Sequence, residues 1–285
     1  MTWNIDRQSV LVTGGSSGIG QATAEALAGM GANVTITSRD AARGEKARSA
    51  ISRATGRSVR VELMDLSDLG SVRDFADRFR DRNEHLRLLV NNAGGVFGSR
   101  RETVDGHETT FATNHLGPFL LTSLLSESLE AAGRSRVINV SSVAHRYAKE
   151  GIVFGDLAWK NRRYKMMEVY GHSKLANILH AQGLNDRTGP NAEAFAVHPG
   201  VVGSSFGGRG GSKVVRAATK FGKRWMRTPA EGADTIVWLA SEPEVDTSDG
   251  IYFSDREPTK STRHARDVSQ ADRLWDVTEK LVSLA

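Results

Sequence analysis

The chain has 285 residues with 39% hydrophobic and 25% charged content, which excludes a disordered polymer, and its net charge of +5 is too small for the size to argue for a nucleic-acid partner. Cysteine is absent, so disulfides, thiolate metal sites and cysteine nucleophiles are excluded, and the scattered histidines show no HExxH-type spacing for a metal. The opening MTWNIDRQSVLVTGG lacks the apolar run of a signal peptide, and the longest apolar patch, residues 116–125, is interrupted and too short to span a bilayer, which makes a soluble cytoplasmic protein the expectation.

The first predicted strand, SVLVTG at 9–14, runs into the glycine turn TGGSSGIG, with Gly14, Gly18 and Gly20 ahead of a helical stretch. A glycine turn between strand and helix lets backbone N–H groups approach a pyrophosphate at the positive end of the helix dipole. The spacing is GxxxGxG rather than GxGxxG, so the strand-turn-helix setting carries the reading. The second predicted strand, NVTIT at 33–37, ends at Ser38 and Arg39, where an acidic residue would bind the ribose hydroxyls of NAD. A guanidinium pairs instead with a 2′-phosphate, and Arg43, one helical turn on, adds to the same pocket. NADP(H) is therefore the preferred cofactor, with NAD(H) the alternative in which Arg39 is a solvated charge and Asp40 takes the acidic role.

Further strands are predicted at 58–64, 86–91, 135–141 and 192–198, with a last one in DGIYFS at 249–254. Strands alternating with helices imply right-handed crossovers. The fold expected is a single doubly wound α/β domain of Rossmann type over residues 1–285, with a mostly parallel sheet of about seven strands and helices on both faces. Asp65, in MDLSD after the third strand, reads locally as a cap for the helix that follows. TPAE at 228–231 reads as a capping box, and DRLWDVTEKLVSL as a closing helix.

Two long segments after strands, near 143–169 and 203–227, are candidates for the substrate side of a site at the carboxyl ends of the strands. The second contains KVVRAATKFGKRWMR, in which Lys213, Arg216, Lys220, Lys223, Arg224 and Arg227 gather opposite Val214, Val215, Ala218, Phe221 and Trp225. Such a basic amphipathic stretch at 213–227 suits either a cleft-covering helix with a solvated side or peripheral contact with an anionic membrane.

In YGHSKLAN, Tyr170 and Lys174 lie four apart and so share a helix face. A neighbouring cation favours the phenolate, which would make the pair a proton donor and acceptor. Taken alone, the same spacing reads as a half-buried tyrosine and a solvated lysine.

The ordered set TGGSSGIG, NNAG at 91–94, Asn114, the serines after VINV, YGHSK and VHPG resembles the short-chain dehydrogenase/reductase superfamily over nearly the whole length. SRDAARGEKA, FATNHLGPFLLT, RVINVSSVAH, YGHSKLAN and RLWDV are similar to its retinol dehydrogenase-like branch, which includes relatives of protochlorophyllide reductase and carries a comparable extension between Ser142 and Tyr170. The resemblance implies a phosphate turn of Gly14, Ser16, Ser17, Gly18, Ile19 and Gly20, a 2′-phosphate pocket of Ser38, Arg39 and Arg43, adenine contacts from Asp65 and Leu66, and a nucleotide lining of Asn91, Ala93 and Gly94. Pro199, Gly200, Val202 and Ser204 would pass the nicotinamide, Ser204 standing where the family often has threonine.

The implied catalytic group is Asn114, Ser142, Tyr170 and Lys174. Tyr170 would exchange the proton, Lys174 would lower its pKa and hold the nicotinamide ribose, Ser142 rather than the adjacent Ser141 would hold the substrate oxygen, and Asn114 would support a water. The activity implied is NADP(H)-dependent hydride transfer on a lipophilic aldehyde, ketone or alcohol of retinal or retinol type. A nucleotide-binding sensor is the alternative from another class, disfavoured because all four residues are present. Protochlorophyllide-type reduction is the alternative enzyme, disfavoured because the chain has no cysteine. Helices of the superfamily pair across subunits, which makes a homo-oligomer an open expectation, whereas the membrane anchor of vertebrate retinol dehydrogenases does not carry over.

Overall fold

The computed structural model describes residues 3–83, 85–188, 191–202 and 226–284. Strand β1 (Ser9–Val12) lies inside the sheet between β2 (Asn33–Ser38) and β4 (Leu88–Asn91), parallel to both. Its side chains alternate between two cores. Leu11 and Leu89 face one, while Val10, Val12, Leu88 and Val90 face the other. Because helices cover both faces, these strands read as unbroken apolar runs.

β3 (Arg60–Leu63) extends the sheet beyond β2, and β5 (Ser135–Val140), β6 (Ala192–Val197), β7 (Tyr252–Ser254) and β8 (Glu257–Pro258) extend it beyond β4. The order among the described residues is β3-β2-β1-β4-β5-β6-β7-β8, antiparallel only between β7 and β8. This is the expected doubly wound α/β fold, with β1 and β4 flanking the point where strand order reverses. That crevice is where such sheets bind ligands.

The eighth strand is an addition to the expected seven. Asp255 and Arg256 turn the chain with φ of 56° and 63°, the geometry of a tight primed hairpin, without the Asn-Gly signal that betrays one in sequence. Tertiary partners hold them. Arg227 meets Asp255 at 2.5 Å, Arg256 ion-pairs with Asp234, and the Arg256 N–H donates to Thr235 Oγ1 at 3.2 Å.

The helices on one face are α1 (Gly18–Gly29), α2 (Ala41–Thr55) and α8 (Pro229–Ser241). On the other face lie α3 (Leu69–Arg80), the short pair α4 (Thr109–Phe111) and α5 (Gly117–Leu124) joined by a π turn over Ala112–Leu116, then α6 (Ser126–Ala131), α7 (Met166–Thr188) and α9 (Val268–Leu281). The capping box forms at Thr228 and Glu231. The closing helix starts earlier than the sequence reading placed it, because Asp267 caps it by accepting from the Gln270 N–H.

α7 has no polar face over most of its length: it lies between the sheet and α9. The Trp275 ring seats at 4.8 Å from Phe119 and fills the space at Gly183, where an added Cβ would stand 2.9 Å from it. No described helix is long and apolar enough to cross a membrane.

At the amino ends of the central strands, Arg136 of β5 is fully buried. Its Nε donates to Glu193 at 2.9 Å, and its Nη1 donates to the carbonyls of Leu239 and Glu242 at the end of α8, at 2.8 and 2.6 Å. Its guanidinium also lies 3.9 Å from the Trp3 ring centroid. One charged side chain thus ties β5, β6, the end of α8 and the N-terminal segment together.

Candidate active site

The carboxyl ends of β1 and β4 are joined by Thr13, whose hydroxyl accepts the N–H groups of Asn92 and Ala93, each at 3.0 Å. The Asn92 side chain donates to the Thr13 carbonyl at 2.8 Å. Packing therefore demands glycine above it: a Cβ at Gly20 would lie 2.4 Å from Asn92 Nδ2, and one at Gly14 2.9 Å from the Ala93 Cβ. Gly14 and Gly18 both have positive φ, 66° and 57°. Gly14 also donates to Thr37 Oγ1 at 3.2 Å, drawing the turn against β2.

α2, α3, α8 and α9 each begin with a capping side chain, but the Ser17 side chain at the start of α1 makes no such bond. Among the described residues no side chain caps the first turn of α1, which suits its N–H groups to an outside acceptor such as a phosphate. This donor set suits the pyrophosphate of a dinucleotide. Ile19 and Val202 meet over Gly232, where a Cβ would lie 2.5 Å from Val202 and 3.1 Å from Ile19, so the loop after β6 closes onto the glycine turn. Gly200 in that loop has φ of 79°, and an added Cβ would strike the Arg227 side chain at 2.5 Å. Pro199 adjoins it. Ser204 and 203–225, including most of the basic amphipathic stretch, lie outside the described residues.

After β2, buried Ser38 accepts the Asp40 N–H at 3.2 Å and donates to the Asp40 carbonyl at 2.8 Å. Asp40 caps α2, accepting from the Arg43 N–H at 2.8 Å, and its carboxylate also lies 3.9 Å from the exposed Arg43 guanidinium. Arg39 is exposed and makes no hydrogen bond or ion pair with the described residues.

Three sequence readings change here. Asp65 does not cap α3. Asp68 does, by accepting from the Ser71 N–H, while Asp65 accepts from the Ser67 N–H and hydroxyl at 2.9 and 2.7 Å in a local turn. Leu66 is core, so its side chain is not available to a nucleotide. The Asn91 side chain is also buried, donating to Thr122 Oγ1 and Asn139 Oδ1 at 3.0 and 2.9 Å. It is Asn92 that reaches the glycine turn. A strand side chain alternates faces, so the first Asn of NNAG points to the α5 side, a distinction the motif alone conceals.

Asn114 and Lys174 meet beneath exposed Gly94, and Tyr170 adjoins Lys174 and Ser142. A Cβ at Gly94 would lie 2.9 Å from Asn114 Oδ1 and 3.5 Å from Lys174 Nζ. Asn114 sits in the π turn, a widening of the helix frequent at functional sites. Its Oδ1 accepts from the Gly95 N–H at 2.7 Å, while its Nδ2 donates to the Gly95 carbonyl and to Ser173 Oγ, each at 2.9 Å.

The two serines after β5 separate. Ser141 Oγ is buried and donates to the Lys174 carbonyl at 2.6 Å, which anchors α7. Ser142 Oγ is hydrogen-bonded to the Tyr170 hydroxyl and accepts from the Ala144 N–H at 3.1 Å. Ser142 is thus the serine that faces the phenol.

Lys174 Nζ donates to the Val140 carbonyl at 2.8 Å, sharing it with Asn177 Nδ2, and stands 5.5 Å from the Tyr170 ring centroid. The expectation that this ammonium lowers the tyrosine's pKa is not met. Burial pushes the phenol up, its bond with Ser142 opposes this, and burial pulls Lys174 down from 10.5 to about 7. Both groups are buried in low dielectric, and both therefore favour their neutral forms.

The Lys174 shift has a testable consequence. Between about pH 7 and 10.5 the unfolded chain binds a proton on this lysine that the folded chain does not, so its contribution makes stability rise with pH across that window. Below pH 7 the folded protein bears the full desolvation penalty. Lys174→Met should therefore raise the thermal midpoint most near pH 6.5, the gain shrinking toward pH 9.5. A gain independent of pH in thermal unfolding would contradict this.

The profile of the short chain dehydrogenase family matches residues 8–154. Human retinol dehydrogenase 12 is 41% identical over 283 residues, covering 96% of this chain and 86% of that protein. The chain belongs to the short-chain dehydrogenase/reductase family. It falls within the retinol dehydrogenase-like branch, and the short-chain dehydrogenase TIC 32 A of Brassica napus chloroplasts is 37% identical, covering 99% of this chain and 91% of its own. Among solved structures, an uncharacterised Mycobacterium paratuberculosis protein superposes with a TM-score of 0.75 at 33% identity, covering 99% of this chain and 96% of that one. The Pseudomonas aeruginosa RhlG complex with NADP does so with a TM-score of 0.65 at 26% identity, covering 84% and 91%. As a short-chain dehydrogenase, the protein is a hydride-transferring oxidoreductase that uses a nicotinamide nucleotide.

Proposed function

We propose that the protein is an NADP(H)-preferring enzyme that interconverts a lipophilic aldehyde or ketone and its alcohol, with Asn114, Ser142, Tyr170 and Lys174 as its catalytic group. The observation that carries this reading is the hydrogen bond between Ser142 and Tyr170 beside the Lys174 amine. The nicotinamide, when bound, supplies or accepts the hydride.

The protein's own residues handle the proton and the fit. Tyr170, held protonated by burial, donates its hydroxyl proton to the carbonyl oxygen as that oxygen gains charge. Ser142 presents a second hydroxyl to the same oxygen. Lys174 stabilises the phenolate left behind and can regain its own proton near neutral pH. Asn114, bonded on both sides to Gly95, holds the floor under Gly94. The first turn of α1 would hold the pyrophosphate, and Gly200 and Val202 would border the nicotinamide.

Two further features support the finer assignments. Arg39 stands at the end of β2 without a side-chain partner among the described residues, while the neighbouring carboxylate of Asp40 is engaged as a helix cap. A guanidinium there favours a 2′-phosphate. Large apolar side chains also stay exposed next to the catalytic serine and the β6 loop: Val143 at 43%, Tyr147 at 50% and Val201 at 59%. Retinal is the first substrate to test, given the retinol dehydrogenases among the relatives.

The test follows nicotinamide absorbance with NADPH and NADH in parallel, against retinal, long-chain aldehydes and steroid ketones. NADPH should be preferred by at least about tenfold in kcat/KM, and Arg39→Glu should remove most of that preference by raising KM for NADPH. Equal use of both nucleotides by the wild type would overturn the NADP assignment. Binding of nucleotide without turnover of any carbonyl would favour a sensor.

A further inference from the structure

The segment from Phe154 to Lys165, between the catalytic serine and the catalytic helix, has its own small core. Trp159 is buried with φ of 52°, an uncommon backbone conformation for an aromatic residue. The Arg162 guanidinium lies 3.6 Å from its ring centroid, and the rings of Tyr164 and His172 meet it edge-on at 6.3 and 5.3 Å. Asp156 fastens the turn by accepting from the Lys160 and Asn161 N–H groups at 2.7 and 3.2 Å and pairing with Arg162 at 3.4 Å.

One end of this segment is fixed by a single hydroxyl to the Phe97 loop and to α4 with its cap. Tyr164 OH lies 3.2 Å from each of Phe97 O, Glu108 Oε1 and Thr110 Oγ1. A phenol has one proton, so it donates toward the carbonyl and carboxylate while the threonine hydroxyl donates to it. Glu108 is itself buried and caps α4, accepting from the N–H groups of Thr110 and Phe111 at 2.9 and 2.7 Å. α4 leads directly into the π turn with Asn114, and Tyr164 leads into α7 with Tyr170 and Lys174.

Phe97 belongs to the loop that starts at Gly94 and Gly95 over the catalytic group. An added Cβ at Gly95 would lie 3.3 Å from its ring, so the ring folds back over that floor. Arg100 Nε, farther along the loop, donates to the Ala158 carbonyl at 2.8 Å.

We propose that the Tyr164 hydroxyl is a positioning latch that fixes the Phe97 loop relative to Tyr170 and Asn114, and so sets the fit of the substrate's chain without taking part in nucleotide binding. The activity arm of the idea rests on the function proposed above, but the latch itself does not. Burial raises the Tyr164 pKa to about 12, so the phenol remains a donor throughout the working range.

The variant is Tyr164→Phe, which removes the hydroxyl and keeps the ring against Trp159. Hydrogen exchange of backbone amides in the 96–108 loop should quicken at least about fivefold, with the amides of β1, β5 and β6 unchanged. With decanal and propanal as probes, KM for decanal should rise about five- to tenfold, KM for propanal less than twofold, and kcat and the NADPH dissociation constant should stay within about twofold. Unchanged loop exchange overturns the latch. So does a loss of NADPH affinity or a fall in kcat equal for both aldehydes, which would mark a general structural role. If the wild type turns over neither aldehyde, the proposed function is in question while loop exchange still decides the latch.

Discussion

Tyr170→Phe should lower kcat for carbonyl reduction by about 10³-fold while leaving the NADPH dissociation constant within about twofold of wild type. The substitution deletes one oxygen from a side chain that is 8% exposed, and phenylalanine keeps the ring in the same space. What it removes is the proposed proton donor, together with the hydrogen bond to Ser142. Ser142 cannot replace it, because an aliphatic hydroxyl is a much weaker acid than a phenol and its position is held by the Ala144 N–H. Stopped-flow turnover with NADPH and fluorescence titration of nucleotide binding separate the two quantities. Residual activity above about a tenth of wild type would mean that the proton comes from elsewhere.

The second large effect is on stability. Arg136→Met should cost about 3–5 kcal/mol, because it leaves the Glu193 carboxylate with Arg134 alone, strips the Leu239 and Glu242 carbonyls of a donor, and removes the cation from the Trp3 ring. For a chain of this size that is a fall in the thermal midpoint of roughly 6–10 °C. Glu193→Gln should cost less, since Arg136 would keep its bonds to both carbonyls. The carboxyl end of β5 leads to Ser142, but Arg136 sits at the other end of the strand. Folded Arg136→Met should therefore keep kcat within about twofold at 20 °C. Chemical denaturation by two spectroscopic probes measures the first quantity, and a loss under about 1 kcal/mol would show that the buried charge is not holding these elements together.

Much of the architecture was legible because the β-branched runs and the glycine turn obey local rules. Each strand that lies in the parallel sheet fell within a segment read as a strand, and the capping box at Thr228 and Glu231 formed as read. The short β8 was not visible, since the Asp255–Arg256 turn depends on salt bridges to Arg227 and Asp234, far away in sequence. Asp65 was read as the cap of α3, and only the backbone showed that it turns onto Ser67 while Asp68 accepts from the Ser71 N–H. Tyr164 gave no signal either: it belongs to no short motif, and its partners Phe97, Glu108 and Thr110 come from another part of the chain.

The sequence by itself determined the strand-turn-helix start, the alternation that makes a doubly wound sheet, and the residue types able to move a proton, because these rest on spacings of a few residues. Only the tertiary structure decided which asparagine reaches the glycine turn, and that burial raises the tyrosine's pKa and lowers the lysine's. Those outcomes depend on which side chains share a low-dielectric space, and that space is built by strands and helices tens of residues apart.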